Sequence, residues 1–507
     1  MVKWGRIAAV ALIGSVFGRA AELKEPSANQ RTAVVFVSAD LLGYLGPCGC
    51  SEAMRGGIDR AAEQIAQARA ANPNLLYIDG GDALFGRREL SPVEIPQETL
   101  KAKTIAQAFK LSGLATRAVG ELDDARGPAF RKSLKLLEQP SGSFRLFDQL
   151  GLKVAIVAAR SERELVSASS RARQNGAQIV LALYDQTIEE AQKISANPDL
   201  EATVLFATRL LNELDGEENR LVRGRVPVAR IQSKGRSLAR LDISHGQPGA
   251  HFELQKTSED REREISSLDQ RLELLKKELN MPGLGKEIKG LKQAKFDELV
   301  NRREAIAATA LPSAEGNAFA VRFIPLEPTL PSNPEVKALI DRYQREVGKL
   351  NLAWARKHGK DCPRPEPGEA AYVGNEACRE CHADAFPVWQ KSKHAHAYQT
   401  LADQGRQYDL SCIGCHVIGY GKPGGVCRID RVEGRKDVGC ENCHGPGSIH
   451  SDNPDSQNIL AKPGKADCVR CHNPENSSHF DFSTYLPQIL GPGHGARLTS
   501  TVGADPR

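Results

Sequence analysis

The chain has 507 residues, 26% of them charged and 40% hydrophobic, with a formal net charge of +5. That length exceeds one ordinary core and implies two or three domains, and the composition is that of a folded globular protein. Lysine and arginine are spread along the chain rather than clustered, which gives no basis for a nucleic-acid partner.

The opening MVKWGRIAAVALIGSVFGRA sets Lys3 and Arg6 before an apolar run from Ile7 to Phe17, with Gly18 and Ala20 placed for cleavage. This is the pattern of a signal peptide over residues 1–20. A helix of the apolar run rises only ~16 Å, short of a ~30 Å hydrocarbon core. The expectation is an exported protein, periplasmic in a bacterium.

From residue 31 to 254 short apolar runs alternate with amphipathic stretches. TAVVFV, NLLYID, LATRAV, KVAIVAA, AQIVLALY, EATVLFA, RVPVARIQ and SLARLDI read as strands, with helical patterns such as 58–69 and 98–111 between them. The alternation predicts an α/β layered domain with a partly parallel sheet, whose ligand loops follow the strand ends. Those loops read ADLLGYL, GGIDR, IDGGDALFG, AVGELDDARG, VLALYDQ, VLFATRLL and IQSKGRSLARLDI. In that order they resemble the calcineurin-like metallophosphoesterases, in particular the secreted 5′-nucleotidase branch. The resemblance implies a two-metal site with Asp40 and Asp82 among its ligands. It also places Leu42, Leu122, Tyr184, Thr208 and Leu210 where the family has histidines, and Glu121 where it has asparagine. Leucine offers no lone pair, and a dinuclear site needs nearly all its ligands. The expected result is a phosphoesterase-like domain without phosphatase activity, in which Asp40 and Asp82 serve as loop or helix caps.

Cys48-Gly49-Cys50 follows the first strand on the same rim. It reads either as a pair of redox thiols or a thiolate metal site, or as an ordinary disulfide, with Cys362 as one candidate partner. Residues 255–360 read as a helical connector. Ile265, Leu268, Leu272, Leu275 and Leu279 recur at spacings of three and four among charged residues, the seam of a coiled-coil-like helix. NMPGLG breaks it before a second charged helix, so residues 258–310 fit a helical hairpin or self-association. FAVRFIP then reads as a strand, 335–358 as another amphipathic helix, and DCPRPEPGEA as a linker.

Ten of the twelve cysteines lie beyond residue 361, and eight of those form four copies of one pattern. The copies are Cys378-Arg-Glu-Cys381-His382, Cys412-Ile-Gly-Cys415-His416, Cys440-Glu-Asn-Cys443-His444 and Cys468-Val-Arg-Cys471-His472. Composition alone would supply about 0.007 copies of Cys-x-x-Cys-His, the signature of covalent haem c attachment. Two thiols bind the porphyrin vinyl groups and the adjacent imidazole becomes the proximal iron ligand. Zinc would explain the cysteine pairs but not a histidine after every second one. The three methionines, Met1, Met54 and Met281, all lie outside this segment, so the expected distal ligands are histidines and the haems low-potential. The candidates are His394, His396, His450, His479 and His494, with His396 and His450 the first choices. Gly- and Pro-rich sequence cannot bury an ordinary core here, so four haem c groups would provide the apolar interior.

YVGNEACRECH, VWQKSKHAHAYQTL, SCIGCHVIGYGKPGG and GCENCHGPGSIH resemble the tetrahaem cytochrome c-554 family over roughly residues 371–494. The resemblance implies a mostly helical, loop-rich multihaem domain over 361–507, closely packed haems that conduct electrons, and distal histidines at His394 or His396 and at His450. His494 is displaced by a short Gly-Pro insertion relative to the family's closing stretch. Cys427 is extra to the pattern and reads as a structural or solvent-facing thiol. The reading is of an exported electron-transfer cytochrome with redox partner proteins. The alternatives are a haem-based oxidoreductase acting on a small nitrogen or sulfur compound at a five-coordinate haem, or an active 5′-nucleotidase-like phosphoesterase.

Overall fold

The structure is a computed structural model. It describes residues 31–47, 54–210, 218–245, 251–279, 286–308, 317–473, 476–477 and 480–494. The expected signal peptide, Cys48, Cys50 and His479 lie outside the described residues.

Two partly parallel sheets lie face to face with helices on both outer sides. The first contains β1 (Arg31–Ser38), β2 (Leu76–Asp79), β3 (Leu114–Ala118), β4 (Glu138–Gln139), β11 (Ser237–His245), β12 (Glu253–Leu254) and β13 (Ala318–Pro325). Its order is β12-β13-β11-β1-β2-β3-β4, parallel from β1 to β4 and antiparallel across β1–β11 and β11–β13. The second contains β5 (Ser143–Gln149), β6 (Leu152–Ala159), β7 (Ile179–Tyr184), β8 (Val204–Ala207), β9 (Arg220–Val222) and β10 (Val228–Arg230). Its order is β5-β6-β7-β8-β10-β9, a parallel centre with antiparallel edges.

Side chains alternate across a strand, and β1 shows how that builds the layers. Val35 and Val37 enter the core between the sheets with Ile156 and Leu181. Val34 and Phe36 face the other way, into a core shared with α1 (Ile58–Ala71), α2 (Ile95–Leu111) and α8 (Pro334–His358). The second sheet is covered outside by α4 (Glu162–Gln174) and α5 (Ile188–Ser195), which bury Leu165, Ala168, Ile188 and Ala191. A short α3 (Pro128–Ser133) follows β3.

The strand at 318–325, grouped with the connector on sequence, is hydrogen-bonded along its length to β11 inside the first sheet. Thus the connector returns to the layered domain before the chain leaves it. Between β12 and β13, α6 (Ser258–Leu279) and α7 (Lys286–Ala308) pair as a hairpin around Leu268, Leu272 and Leu299. Ion pairs Glu264–Arg302, Asp269–Arg303 and Glu278–Lys292 follow the order that antiparallel helices require. Among the described residues no helix is long and apolar enough to cross a membrane.

Helix α8 joins the two halves of the molecule. Its first turns bury Val336, Ile340, Tyr343 and Val347 in the layered domain. Its last turns place Ala355 in a smaller core with Tyr398, Ile413, Val417, Val426, Ile429 and Val432. Beyond it the described residues form short helices: α9 (Asn375–Arg379), α10 (Ala385–Gln390), α11 (Ala397–Asp403), α12 (Leu410–Ile413), α13 (Cys440–His444), α14 (Ser448–Asp452), α15 (Lys465–Cys468) and α16 (Phe482–Tyr485). Cys362 and Cys427 form a disulfide with Cα atoms 5.1 Å apart. This corrects the expectation of a lone Cys427 and of Cys362 as a partner for the Cys48–Cys50 loop. The bridge ties the linker to the small core.

Candidate haem sites and the strand-end cleft

Each Cys-x-x-Cys-His copy sits on or just after a single helical turn, which brings its two thiols and imidazole to one side. His382 and His472 donate their backbone N–H to Cys378 and Cys468 at 3.0 and 2.9 Å. Polar side chains brace these turns. Asp409 caps α12 through the Ser411 amide at 2.9 Å. Asn375 accepts from the Cys440 amide at 2.9 Å. Glu441, 1% exposed, accepts from the amides of Val373, Gly374 and Gly447 at 2.7–2.9 Å. One buried carboxylate therefore fastens the third motif to the approach of the first.

The eight motif cysteines are free thiols, unlike the bridged Cys362 and Cys427. The neighbouring Cys440 lowers the Cys378 thiol, and the neighbouring Cys471 lowers the Cys415 thiol to about 7. The first motif thus lies beside the third and the second beside the fourth.

The histidines are spaced for an atom between them. The rings of His382 and His450 face each other with centroids 6.2 Å apart, and those of His394 and His472 stand 6.1 Å apart. Two metal–nitrogen bonds of about 2 Å plus the ring halves span about 6 Å, so each gap has room for a metal ion between the imidazoles. His416, His444 and His450 hold Nδ1 against the carbonyls of Ala397, Leu460 and Asp455 at 2.5, 2.8 and 2.9 Å. Such a bond fixes the tautomer and leaves Nε2 with its lone pair for a metal. Burial lowers the imidazole pKa of His394, His416 and His494; His472 also lowers His394, and His444 and His382 also lower His494. His494 also has a buried Nδ1 without a hydrogen-bond partner. The donor set and its gaps fit haem c.

The structure thus brings His450 to His382, His394 to His472, and His494 into the neighbourhood of His444. His396 instead lies near Asp437, whose carboxyl is raised by burial and lowered by that imidazole. Among the described residues, no histidine ring stands opposite His416 as His450 does opposite His382.

The other candidate site is the rim at the strand ends. Asp40, 1% exposed, pairs with the equally buried Arg230 at 3.0 Å. Arg230 also donates to the Arg209 carbonyl at 2.6 Å. Arg209 pairs with Glu121 and Asp185 at 3.4 and 3.1 Å, and Arg88 also pairs with Glu121. Asp82 accepts from the Leu122 amide at 2.7 Å. Beneath it Asp123 accepts from the amides of Asp82, Ala83, Leu84 and Gly120, and from Arg117 at 2.5 Å. Guanidinium groups thus occupy the rim where the resemblance would put metal ligands. Sequence reading did not single out Arg230; an arginine inside the apolar run VPVARI was the available sign.

Asp40, Leu42 and Asp82 retain left-handed backbone, with φ of 51, 52 and 50°, a conformation that strained loops at sites often show. Burial first, then Asp123, pushes the Asp82 carboxyl up to about 7. Burial also raises Asp40 well above the carboxylate range, against the pull of Arg230. Among the described residues no group of three or more His, Cys, Asp or Glu is arranged to hold a metal ion.

Rim and haem motifs meet across a cleft of about 780 Å³. Asp40, Asp82, Glu121 and Arg209 line one end, and Asp409, Ser411 and Cys412 of the second motif line the other. Tyr343 of α8, 5% exposed, lines it with a hydroxyl that has no hydrogen-bond partner.

Residues 377–445 match the cytochrome c554 and c-prime family. The match contains the first three motifs, and the fourth follows it. Cytochrome c-554 of Nitrosomonas europaea is 32% identical over 113 residues, covering 19% of this chain and 48% of that protein. The chain therefore spans about half the length of that relative. Solved structures to which the chain is similar include a calcineurin-like phosphoesterase of Bacillus subtilis, 12% identical with a TM-score of 0.34, covering 43% of this chain and 87% of that one. A 5′-nucleotidase precursor of Thermus thermophilus is 10% identical with a TM-score of 0.41, over 78% of this chain and 71% of that one. Haem c would attach at the three motifs inside the c554-like segment and at the fourth beyond it, through their cysteine pairs and the histidines beside them.

Proposed function

We propose that the protein is an exported electron-transfer cytochrome carrying four haem c groups, most of them with two histidine ligands. The observation that carries this reading is the pair of imidazole gaps, His382–His450 and His394–His472, each beside a Cys-x-x-Cys-His turn. Haem c would supply the one-electron couple. The chain would orient the imidazoles of His416, His444 and His450 through carbonyl bonds and hold the attachment turns together through Glu441 and Asn375. Export, with a leader over residues 1–20, agrees with covalent haem attachment outside the cytoplasm, and the exchanging partners would be redox proteins.

The layered domain is in this reading a phosphoesterase-like scaffold without hydrolytic activity. Its support is the Asp40–Arg230 pair, a fixed cation against the carboxylate that a metal would need. The test is a haem count on the purified full chain after denaturing extraction, alongside nucleotide hydrolysis with added divalent metal. Four covalent haems per chain and no hydrolysis are expected. Absence of covalent haem would sink the electron-transfer reading, and metal-dependent phosphate release would sink the inert scaffold.

A second reading, haem-based oxidoreduction of a small nitrogen or sulfur compound, draws on the second motif. His416 lacks a facing imidazole among the described residues, and Cys412 borders the cleft where the Tyr343 hydroxyl is unpaired. Carbon monoxide added to the reduced protein separates the two readings. One equivalent bound per chain favours reaction at one haem, and none bound favours a pure electron carrier.

A further inference from the structure

Gln97 of α2 lies in the layered domain, 1% exposed, and all four hydrogen-bonding positions of its amide are used. Its Nε2 donates to Asp409 Oδ1 at 2.9 Å and to Ser411 Oγ at 2.8 Å. Its Oε1 accepts from the Leu410 amide at 3.0 Å and from Asn351 Nδ2 of α8 at 2.5 Å. Asn351 also donates to the Tyr408 carbonyl at 2.9 Å. A primary amide offers two donors and two acceptor lone pairs, so this group is saturated. Three of its four partners are the consecutive residues Asp409, Leu410 and Ser411, directly before Cys412. No other haem motif has a comparable link to the layered domain among the hydrogen bonds described above.

We propose that Gln97 is a positioning residue for the second haem. It fixes the turn that carries Cys412 on the layered domain and makes that domain part of this haem's electrostatic surroundings. The inference rests on haem attachment at Cys412 and Cys415. Asp409 is 3% exposed, and its charge acts at low effective dielectric. The amide N–H of Gln97 offsets that charge, together with Arg406 at 3.6 Å. Ferric haem carries one more positive charge than ferrous haem, so a less compensated Asp409 favours the ferric form and lowers the potential. Removing the carboxylate charge raises it.

The test uses the haem-loaded full chain, with a haem count and a stepwise spectroelectrochemical titration on the parent, Gln97→Met, Asp409→Asn and the double variant. Gln97→Met is expected to lower one of the waves and leave the others in place. Asp409→Asn, which keeps a good helix cap, is expected to raise that same wave. The double variant should undo the lowering caused by Gln97→Met. A merely structural link would not move one wave in opposite directions. With the haem count intact, waves that all hold or all move together overturn the inference and leave the electron-transfer reading standing. Parent protein without covalent haem removes both.

Discussion

Asp40 and Arg230 are 190 residues apart in sequence and 3.0 Å apart in the fold, both withdrawn from water. Removing the guanidinium leaves the buried Asp40 carboxyl without its partner, so Arg230→Met should cost about 1–3 kcal/mol, read by denaturant unfolding. The rim also predicts a pH response. Burial lifts Asp82 to about 7 and Asp79 to about 6, far above the ordinary carboxylate value. Such groups keep their protons in the folded state after the unfolded chain has released them. Their contribution is fully present below about pH 4 and is lost as pH rises toward 7, at up to ~1.4 kcal/mol per unit for each group. Asp82→Asn should flatten that slope and raise stability at pH 8, with little change near pH 4, as measured by thermal melting. Gly120 lies against this carboxyl: a Cβ there would sit 2.6 Å from the Asp82 backbone nitrogen. At the haem end, His394→Ala should convert one haem to high spin in the EPR spectrum, whereas His396→Ala should leave the spectrum unchanged. Residues i and i+2 on one short turn point apart, and spacing alone could not choose between them. The four Cys-x-x-Cys-His motifs were legible because their pattern is local. The Asp40–Arg230 pair was not, because its partners come from different sheets.

At the scale of elements, the eight long apolar strand patterns all correspond to strands, since burial on both faces writes itself into continuous β-branched and aliphatic runs. The edge strands β4, β5, β9 and β12 were not anticipated. They are short or half exposed, and β5 reads SFRLFDQ with several polar residues. Strand β13 was legible as a strand but not as a member of the first sheet, because its pairing with β11 closes around the intervening hairpin. The Cys362–Cys427 bridge was also invisible, being hidden among cysteines that serve another pattern. It closes a separation of 65 residues, and replacing both cysteines with serine should cost about 2–4 kcal/mol. The expected sign is earlier thermal loss of the small core around Ile413 and Val417, followed by tryptophan fluorescence of the neighbouring Trp354 and Trp389.

Across the whole molecule the two halves obey different rules. The layered domain has three apolar clusters built from its own side chains. The segment after residue 372 is made of one-turn helices whose described apolar cluster draws one member, Ala355, from α8. Chain produced without haem maturation should therefore keep a protease-resistant core up to about the end of α8, while the remainder is digested. Full protection of both parts in such material would contradict a cofactor-built interior. Composition marks the change, since the Gly- and Pro-rich segment has few aliphatic runs and its described apolar cluster is small. It could not foretell how the parts are joined. A single helix of 25 residues, α8, runs from one hydrophobic interior into the other without interruption. A continuous helix of about 37 Å leaves no loose tether between the two parts. Under the proposed electron-transfer function, a donor or acceptor would have to come to the molecule, and the rim and the second Cys-x-x-Cys-His motif would keep one separation as it does so.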